Sequence, residues 1–398
     1  MNTRKKLFFA CGIGLAAASA QAEITFNGFA TLAGGIGNID DNPGLDLSAD
    51  PFSDQPTRLF GYDDKLDFEN NSLLALQATS DLGDGLSATA QVIARGSDQW
   101  NAKLAWAYIG YEINDNVKII AGRQRMPFYV FSDYLDVSYA YHWITPPEGA
   151  YSLPFDSTNG IGAIITHQLG SADSTLHFVT GRIKEDLQLD QPRAADLSNM
   201  YSAAWTLNFS DFSLRAGYAS ANLQYSVPEL EPLVANWMGA VAQDFSEQIL
   251  ASDEDNKGSF VGFGATYDNG NWLAIGEYTE ITVDGTTLPA KQTSYYFTLG
   301  KRFGDVTPHI TYGVDENEAS STSFIDPYRG SEPLEDLVNF TDGVFNSKDL
   351  IVDNDYTTVG IRWDFHSSAA FKVDYTVHNA HQYERTDHLL RFAISTVF

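Results

Sequence analysis

The chain's densest grouping of side chains able to do chemistry is RMPFYVFSDYLDVSYAYHWITPPEGAYSLPFDSTNG, which follows a short strand pattern, KIIAGRQ. It holds the carboxylates Asp133, Asp136, Glu148 and Asp156 among the rings Phe128, Tyr129, Phe131, Tyr134, Tyr139, Tyr141 and Trp143, with a rigid Pro146-Pro147 turn. Loops longer than about 15 residues are uncommon unless functional or disordered, and this one is too aromatic for disorder. It therefore folds against something, and the expectation is the bore of a membrane barrel, which it narrows. The rings allow three uses: packing the loop against a wall, stacking ring-shaped solutes on Tyr139, Tyr141 and Trp143, or contacting another subunit.

Other apparent motifs carry less. His378 and His381 fall on opposite faces of a continuing strand and no cysteine completes a set, so no metal site is expected. Gly262-x-Gly264 lies in a strand pattern without a following helix and has no nucleotide meaning. The acidic runs at 253–255 and 349–355 read as loop solvation, with divalent-cation bridging as the alternative. No nucleophile, base and orienting group stand together, so neither an enzyme nor a cofactor is expected.

The elements that must position the loop follow from compartment and punctuation. Residues 1–22 combine Arg4, Lys5 and Lys6, an apolar run from Leu7 to Ala18 and the ending Ala20-Gln21-Ala22. This is the layout of a signal peptide cleaved after Ala22, too short to span a bilayer. Cys11, the only cysteine, sits inside the apolar run instead of after it, which disfavours a lipoprotein signal. The remaining chain, 23–398, has 21 basic against 52 acidic residues once the three leader cations are removed, a net of −31 that excludes nucleic acid as a partner.

Short turn signals recur at 82–85, 114–116, 170–173, 210–211, 268–270, 304–305 and 366–368. Between them lie longer, polar connections at 37–70, 97–102, 125–158, 184–198, 224–258, 282–291, 316–354 and 380–386. Seven short turns and eight longer loops require sixteen strands, all-β and antiparallel, with both ends on the short-turn side. Bacterial outer-membrane barrels have this asymmetry, with short periplasmic turns and longer external loops. Phe371, Val373, Tyr375 and Val377 alternate with Lys372, Asp374, Thr376 and His378, while Phe212, Leu214 and Ala216 oppose Ser213 and Arg215. In a wide barrel the apolar row faces lipid and the charged row faces the lumen. Arg215, Arg362, Lys372 and Asp374 are thereby expected on the lumen wall. A helical period is found only at 231–250, inside a loop.

Four segments carry a resemblance: ITFNGFATLAGG, NSLLALQATSDLGDGLSATAQVIARG, KIIAGRQ before the long loop, and the terminal RFAISTVF. Together they resemble a Gram-negative general diffusion porin. The resemblance implies a homotrimer of sixteen-stranded outer-membrane barrels in contact with lipid and lipopolysaccharide, each with its third external loop folded inward. It implies that acidic loop residues, here Asp133, Asp136, Glu148 and Asp156, face wall arginines, here Arg95, Arg123 and Arg125, across the constriction. It also implies that the barrel assembly machinery reads the terminal Phe398. The function expected is passive diffusion of ions and small hydrophilic solutes; the alternative is a channel binding a sugar or aromatic solute on its loop rings.

Overall fold

The computed structural model describes residues 23–38, 61–188, 192–225, 230–250, 256–283, 291–318, 321–346 and 351–398. The leader with Cys11 and the acidic run at 253–255 lie outside them, as do parts of the long loops. Sixteen strands form one closed antiparallel barrel: β1 (Ile24–Asn38), β2 (Leu73–Gly83), β3 (Leu86–Arg95), β4 (Ala102–Asn114), β5 (Val117–Arg125), β6 (Ser157–Leu169), β7 (Ala172–Gln188) and β8 (Pro192–Phe209). The circle continues through β9 (Phe212–Tyr225), β10 (Lys257–Asp268), β11 (Trp272–Val283), β12 (Lys291–Lys301), β13 (Val306–Asn317), β14 (Asp353–His366), β15 (Ala369–Ala380) and β16 (Arg385–Val397). Each strand pairs with its sequence neighbours, and β1 meets β16 in the register Phe29↔Val397. Closure leaves no edge of unpaired backbone, which is what a sheet in lipid requires.

All seven expected turns are tight hairpins at one end of the barrel. At the first, Gly83, Asp84 and Gly85 all have positive φ (83°, 51° and 78°), and Asp81 Oδ1 accepts the Gly83 N–H at 2.9 Å. Glycine is the residue that adopts this geometry without steric cost. The strands are inside out relative to a soluble sheet. In β15, Lys372 and Asp374 are 0% exposed while Tyr375 is 44% exposed. Among the described residues no helix is long and apolar enough to cross a membrane.

One expected loop is mostly strand. Residues 184–198 continue the β7–β8 hairpin, with pairs such as Lys184↔Asp196 and Leu187↔Arg193, up to 188 and again from 192. The Arg182–Asp196 ion pair at 2.5 Å shows why the pattern misled: the outward face of this extension carries charge where the strands below carry apolar rows, and its apolar positions Ile183, Ala195 and Leu197 point inward to the loop.

At the end opposite the turns, two loops fold on each other. The helical period at 231–250 is real, forming α1 (Glu231–Val241) and α2 (Ser246–Leu250). A third helix, α3 (Glu335–Phe345), rises from the β13–β14 loop. Leu233, Trp237, Phe245 and Ile249 pack against Ile325, Val338 and Phe345 in a core separate from the barrel. The Trp237 indole donates to Thr341 Oγ1 at 2.9 Å, and Arg329 ties Asp326 to Asp342. Trp237→Ala is expected to remove about 3–5 kcal/mol from this cap. Limited proteolysis should then cut within 230–250 while the heat-dependent gel mobility of the barrel stays unchanged; a barrel that melts with its cap would contradict a separate core.

Candidate functional site: a loop tied to both walls of the bore

β5 ends at Arg125, and the neck of the following loop is closed where Met126 N–H donates to Asp156 O at 2.7 Å. The chain between, 126–156, lies inside the barrel. Its first limb is apolar: Met126, Phe128 and Tyr129 join Val179, Ile183, Leu197, Met200, Ala219 and Phe260 in one cluster on the inner wall of β7–β10. That wall has small residues where the loop comes close. A Cβ on Gly264 would stand 2.1 Å from Val130 Cγ2, so this position must remain glycine for the loop to lie flush. Farther along, Phe131, Tyr141, Trp143 and Ala150 build a second core on Leu273, Ile275 and Tyr296 of β11 and β12.

Polar groups fix the register of this packing. Glu277 on β11 accepts the Val130 N–H at 2.8 Å, the Tyr151 hydroxyl at 2.6 Å and the Tyr296 hydroxyl at 3.0 Å. Trp143 Nε1 donates to Thr311 Oγ1 on β13 at 2.8 Å. Lys372 on β15 points its ammonium at the carbonyls of Ser138, Tyr141 and Trp143. Arg362 on β14 donates to Tyr139 O at 2.6 Å and Tyr141 O at 2.7 Å. Asp374 accepts the Ile144 N–H at 2.9 Å, and Arg391 on β16 reaches Thr145 Oγ1 at 2.9 Å and Glu148 at 3.1 Å. This limb sits deep, since the Tyr139 hydroxyl donates at 2.8 Å to Ser367 O in a short turn.

The opposite wall is held as well. Asp136 receives Arg95 at 2.7 Å and Arg125 in a second ion pair, and Arg125 also faces Asp156 at 3.3 Å. Val137 packs beside Phe29, Ala75 and Ile93 of β1–β3. Burial alone would raise the Asp136 carboxyl, but the guanidiniums of Arg125 and Arg95 outweigh it and hold the group down at about 2. Burial pushes Glu148 up against the opposing pull of Arg391, and pushes His142 well down with help from Arg362, keeping that imidazole neutral. The loop thus crosses the lumen between two sets of charge-assisted bonds.

A family model described as Gram-negative porin matches residues 10–393. The chain belongs to that family. Several solved structures share the fold at low identity. A Salmonella typhi OmpF in complex with daunomycin is 12% identical, with 95% of this chain and 98% of that one covered and a TM-score of 0.57. An anion-selective porin from Comamonas acidovorans is 13% identical, with 95% and 100% covered and a TM-score of 0.57. Vibrio cholerae OmpT, described as a trimer form, is 12% identical, with 94% and 99% covered and a TM-score of 0.53. No curated protein matches the sequence significantly. The protein is therefore an outer-membrane porin, and its short turns are periplasmic.

The porin brings together Arg95, Arg125, Asp136 and Asp156, and it pairs Glu148 with Arg391. Arg123 does not join Asp136. It pairs in register with Ala107 and Asn159 on the outer face, and its Nε donates to Ala105 O at 3.2 Å. Strand alternation from the inward Gln124 puts Arg123 outside, whereas Arg125 stands where the chain turns into the bore. Asp133 and Tyr134 are exposed in the lumen. Lys372 and Asp374 are inward, as expected, but lie behind the loop instead of facing water, because the loop backbone covers them. Arg362 is likewise covered, while Arg215 donates to Thr206 Oγ1 and Pro127 O. Tyr141 and Trp143 are buried at 3% and 2% exposure and offer no free face for stacking. Tyr139 is half-buried, its ring beneath the Arg362 guanidinium at 5.0 Å.

Glu277 and Arg391 were not among the residues singled out from sequence. Both occupy inward positions of alternating strands, Glu277 in line with Leu273 and Ile275, Arg391 between Leu390 and Phe392, and parity alone could have found them.

Because its carboxyl drops from the ordinary 3.8 to about 2 on folding, Asp136 contributes about 2 kcal/mol that is present above pH 4 and lost as pH falls toward 2. Open-channel current noise should therefore rise as pH falls from about 4 to 2. Asp136→Asn should show that noise already at pH 7; a quiet Asp136→Asn channel would mean that the ion pairs do not hold the loop.

Proposed function

We propose that the porin passes ions and small hydrophilic solutes passively, with residues 126–156 as the size filter and no catalytic step or cofactor. The observation that carries this reading is the loop's attachment to both walls, through Asp136 on one side and Lys372, Arg362 and Arg391 on the other. A filter must not move with the solute, and buried charge-assisted bonds supply that rigidity. The burial of Tyr141 and Trp143 supports the packing role for the loop rings over a stacking track.

Selectivity follows from which charges remain exposed. Arg95 and Arg125 are offset by Asp136 and Asp156 in direct contact, while Asp133 projects a carboxylate into the lumen. With 52 acidic against 24 basic residues in the chain, the reading is a modest cation preference.

Assembly belongs to the same proposal. The outward rows of β7–β16 carry exposed rings, among them Tyr201, Trp205, Phe263, Phe297, Trp363 and Tyr375. Those of β2–β6 are aliphatic, with Leu74, Leu76, Val92, Leu104, Ile109 and Ile161, and Tyr111 is their one Phe, Tyr or Trp. Aromatic girdles mark lipid-facing wall, so the ungirdled face suits contact between copies in a homotrimer. The trimer form of Vibrio cholerae OmpT supports this. The leader is cleaved after Ala22, lipid and lipopolysaccharide surround the girdled face, and the assembly machinery reads Phe398. That terminal residue is 62% exposed, with its N–H and carbonyl bonded to Gly28 at the barrel seam.

In planar bilayers the purified protein should give ohmic steps in groups of three, and under a salt gradient a reversal potential of the cation-selective sign. Asp133→Asn should move that potential toward zero. Lys372→Met leaves the carbonyls of Ser138, Tyr141 and Trp143 without their cation, so larger and noisier currents are expected, with about 3–5 kcal/mol of loop attachment lost. An absence of conductance in the unmodified protein would overturn the channel reading.

A further inference from the structure

On the wall of β1–β4, against the loop, the lumen has a recess of about 440 Å³. Gln77, Gln91, Trp106 and Asp133 line its polar side, and Phe29 and Val137 belong to its apolar side. A recess of roughly 300–1,000 Å³ is the size in which small molecules bind.

A single donor orients its hydrogen bonds. An indole N–H can only donate, and Trp106 Nε1 donates to Gln77 Oε1 at 3.2 Å, which identifies that atom as oxygen. Gln91 approaches the same oxygen at 3.1 Å, so the approaching atom must be its amide nitrogen. The other end of the Gln91 amide is then an oxygen. In a residue only 3% exposed, Gln91 Oε1 is a buried acceptor with no partner among the described residues. An acceptor left unmet in this way is destabilising. Asp133 adds an exposed carboxylate, and a carboxylate also only accepts. The recess therefore presents an unmet acceptor and a carboxylate beside an apolar flank; the Asn27 amide also lines it, and the Arg125 guanidinium, 4.9 Å from the Trp106 ring, is taken up by Asp136 and Asp156.

We propose that this recess binds small solutes with a primary ammonium group on an apolar body. The ammonium donates to Gln91 Oε1 and to the Asp133 carboxylate, and the apolar body lies along Phe29 and Val137. Trp106 acts through Gln77 as a positioning residue, because its indole fixes which way both amides point. The inference rests on the channel reading only in that solutes reach the recess through the bore.

Isothermal titration of the purified mature protein in detergent tests it, with phenethylammonium as the probe, 2-phenylethanol as its neutral analogue and glucose as a polyol. Phenethylammonium should bind at least about tenfold more tightly than the alcohol, as expected for one charge-assisted pair. Gln91→Leu and Asp133→Asn should each weaken it about tenfold. Asp133 is exposed on the loop, so its variant is expected to fold, and heat-dependent gel mobility checks both proteins. Equal binding of the alcohol, no effect of either substitution, or glucose binding with the same dependence on Gln91 would overturn the proposal. Single-channel recording on the same preparation separates the two readings. A protein that conducts without binding phenethylammonium loses the recess, and one that binds it without conducting loses the channel and keeps the recess.

Discussion

A lysine ammonium with no access to water must find acceptors, and in this porin the inserted loop supplies them. Lys372 is 0% exposed, and the carbonyls of Ser138, Tyr141 and Trp143 turn toward it. Uncompensated, a buried charge costs many kcal/mol, so the loop backbone and the barrel wall stabilise one another: neither the ammonium nor the turned carbonyls are satisfied alone. Arg362 and Asp374 extend the arrangement to the Tyr139 carbonyl and the Ile144 N–H. On this side the wall's side chains hold the loop largely through its backbone, while Asp136, Glu148, Trp143 and Tyr151 add side-chain ties of their own to Arg95 and Arg125, Arg391, Thr311 and Glu277.

The wall itself follows from a second constraint. With every strand paired on both sides, the barrel has no backbone to satisfy in lipid, and side-chain alternation is free to sort by environment. Inward positions on β13–β16 are therefore polar and charged, because they bond the loop. Inward positions on β7–β10 include Val179, Ile183, Ala219 and Phe260, because there the loop presents rings. The inner wall is patterned to match the loop, limb by limb.

Much of this was legible in the sequence. Turn chemistry such as Gly83-Asp84-Gly85 depends on local backbone preference, so all seven hairpins could be read without tertiary information. The long loop between β5 and β6 stood out for the same reason, and so did the helical period at 231–250. What failed depended on parity or on partners distant in sequence. Arg123 and Arg125 differ by two residues and share a strand face, yet only the second turns inward, because the strand ends there. Tyr141 and Trp143 look available in a loop until Phe131, Tyr296 and Thr311 are brought around them. The extension of β7 and β8 beyond 184 was hidden because its outward face is charged, and its apolar residues Ala195 and Leu197 face the loop instead of lipid.

The placement of the charges also alters how such a constriction discriminates. Acidic and basic residues facing each other across open water would set up a field along the whole passage. Here Arg95, Arg125, Asp136 and Asp156 touch, and opposite charges in contact cancel within a few ångströms, well inside the roughly 8 Å screening length of physiological salt. Their energy goes into holding the loop, not into acting on a passing ion. What a solute meets is then the remainder: the exposed carboxylate of Asp133, the unmet acceptor of Gln91 and the shape left between the loop and the β1–β4 wall. On the reading proposed above, discrimination then falls to hydrogen-bond donors and size, with charge acting through one group more than through a field.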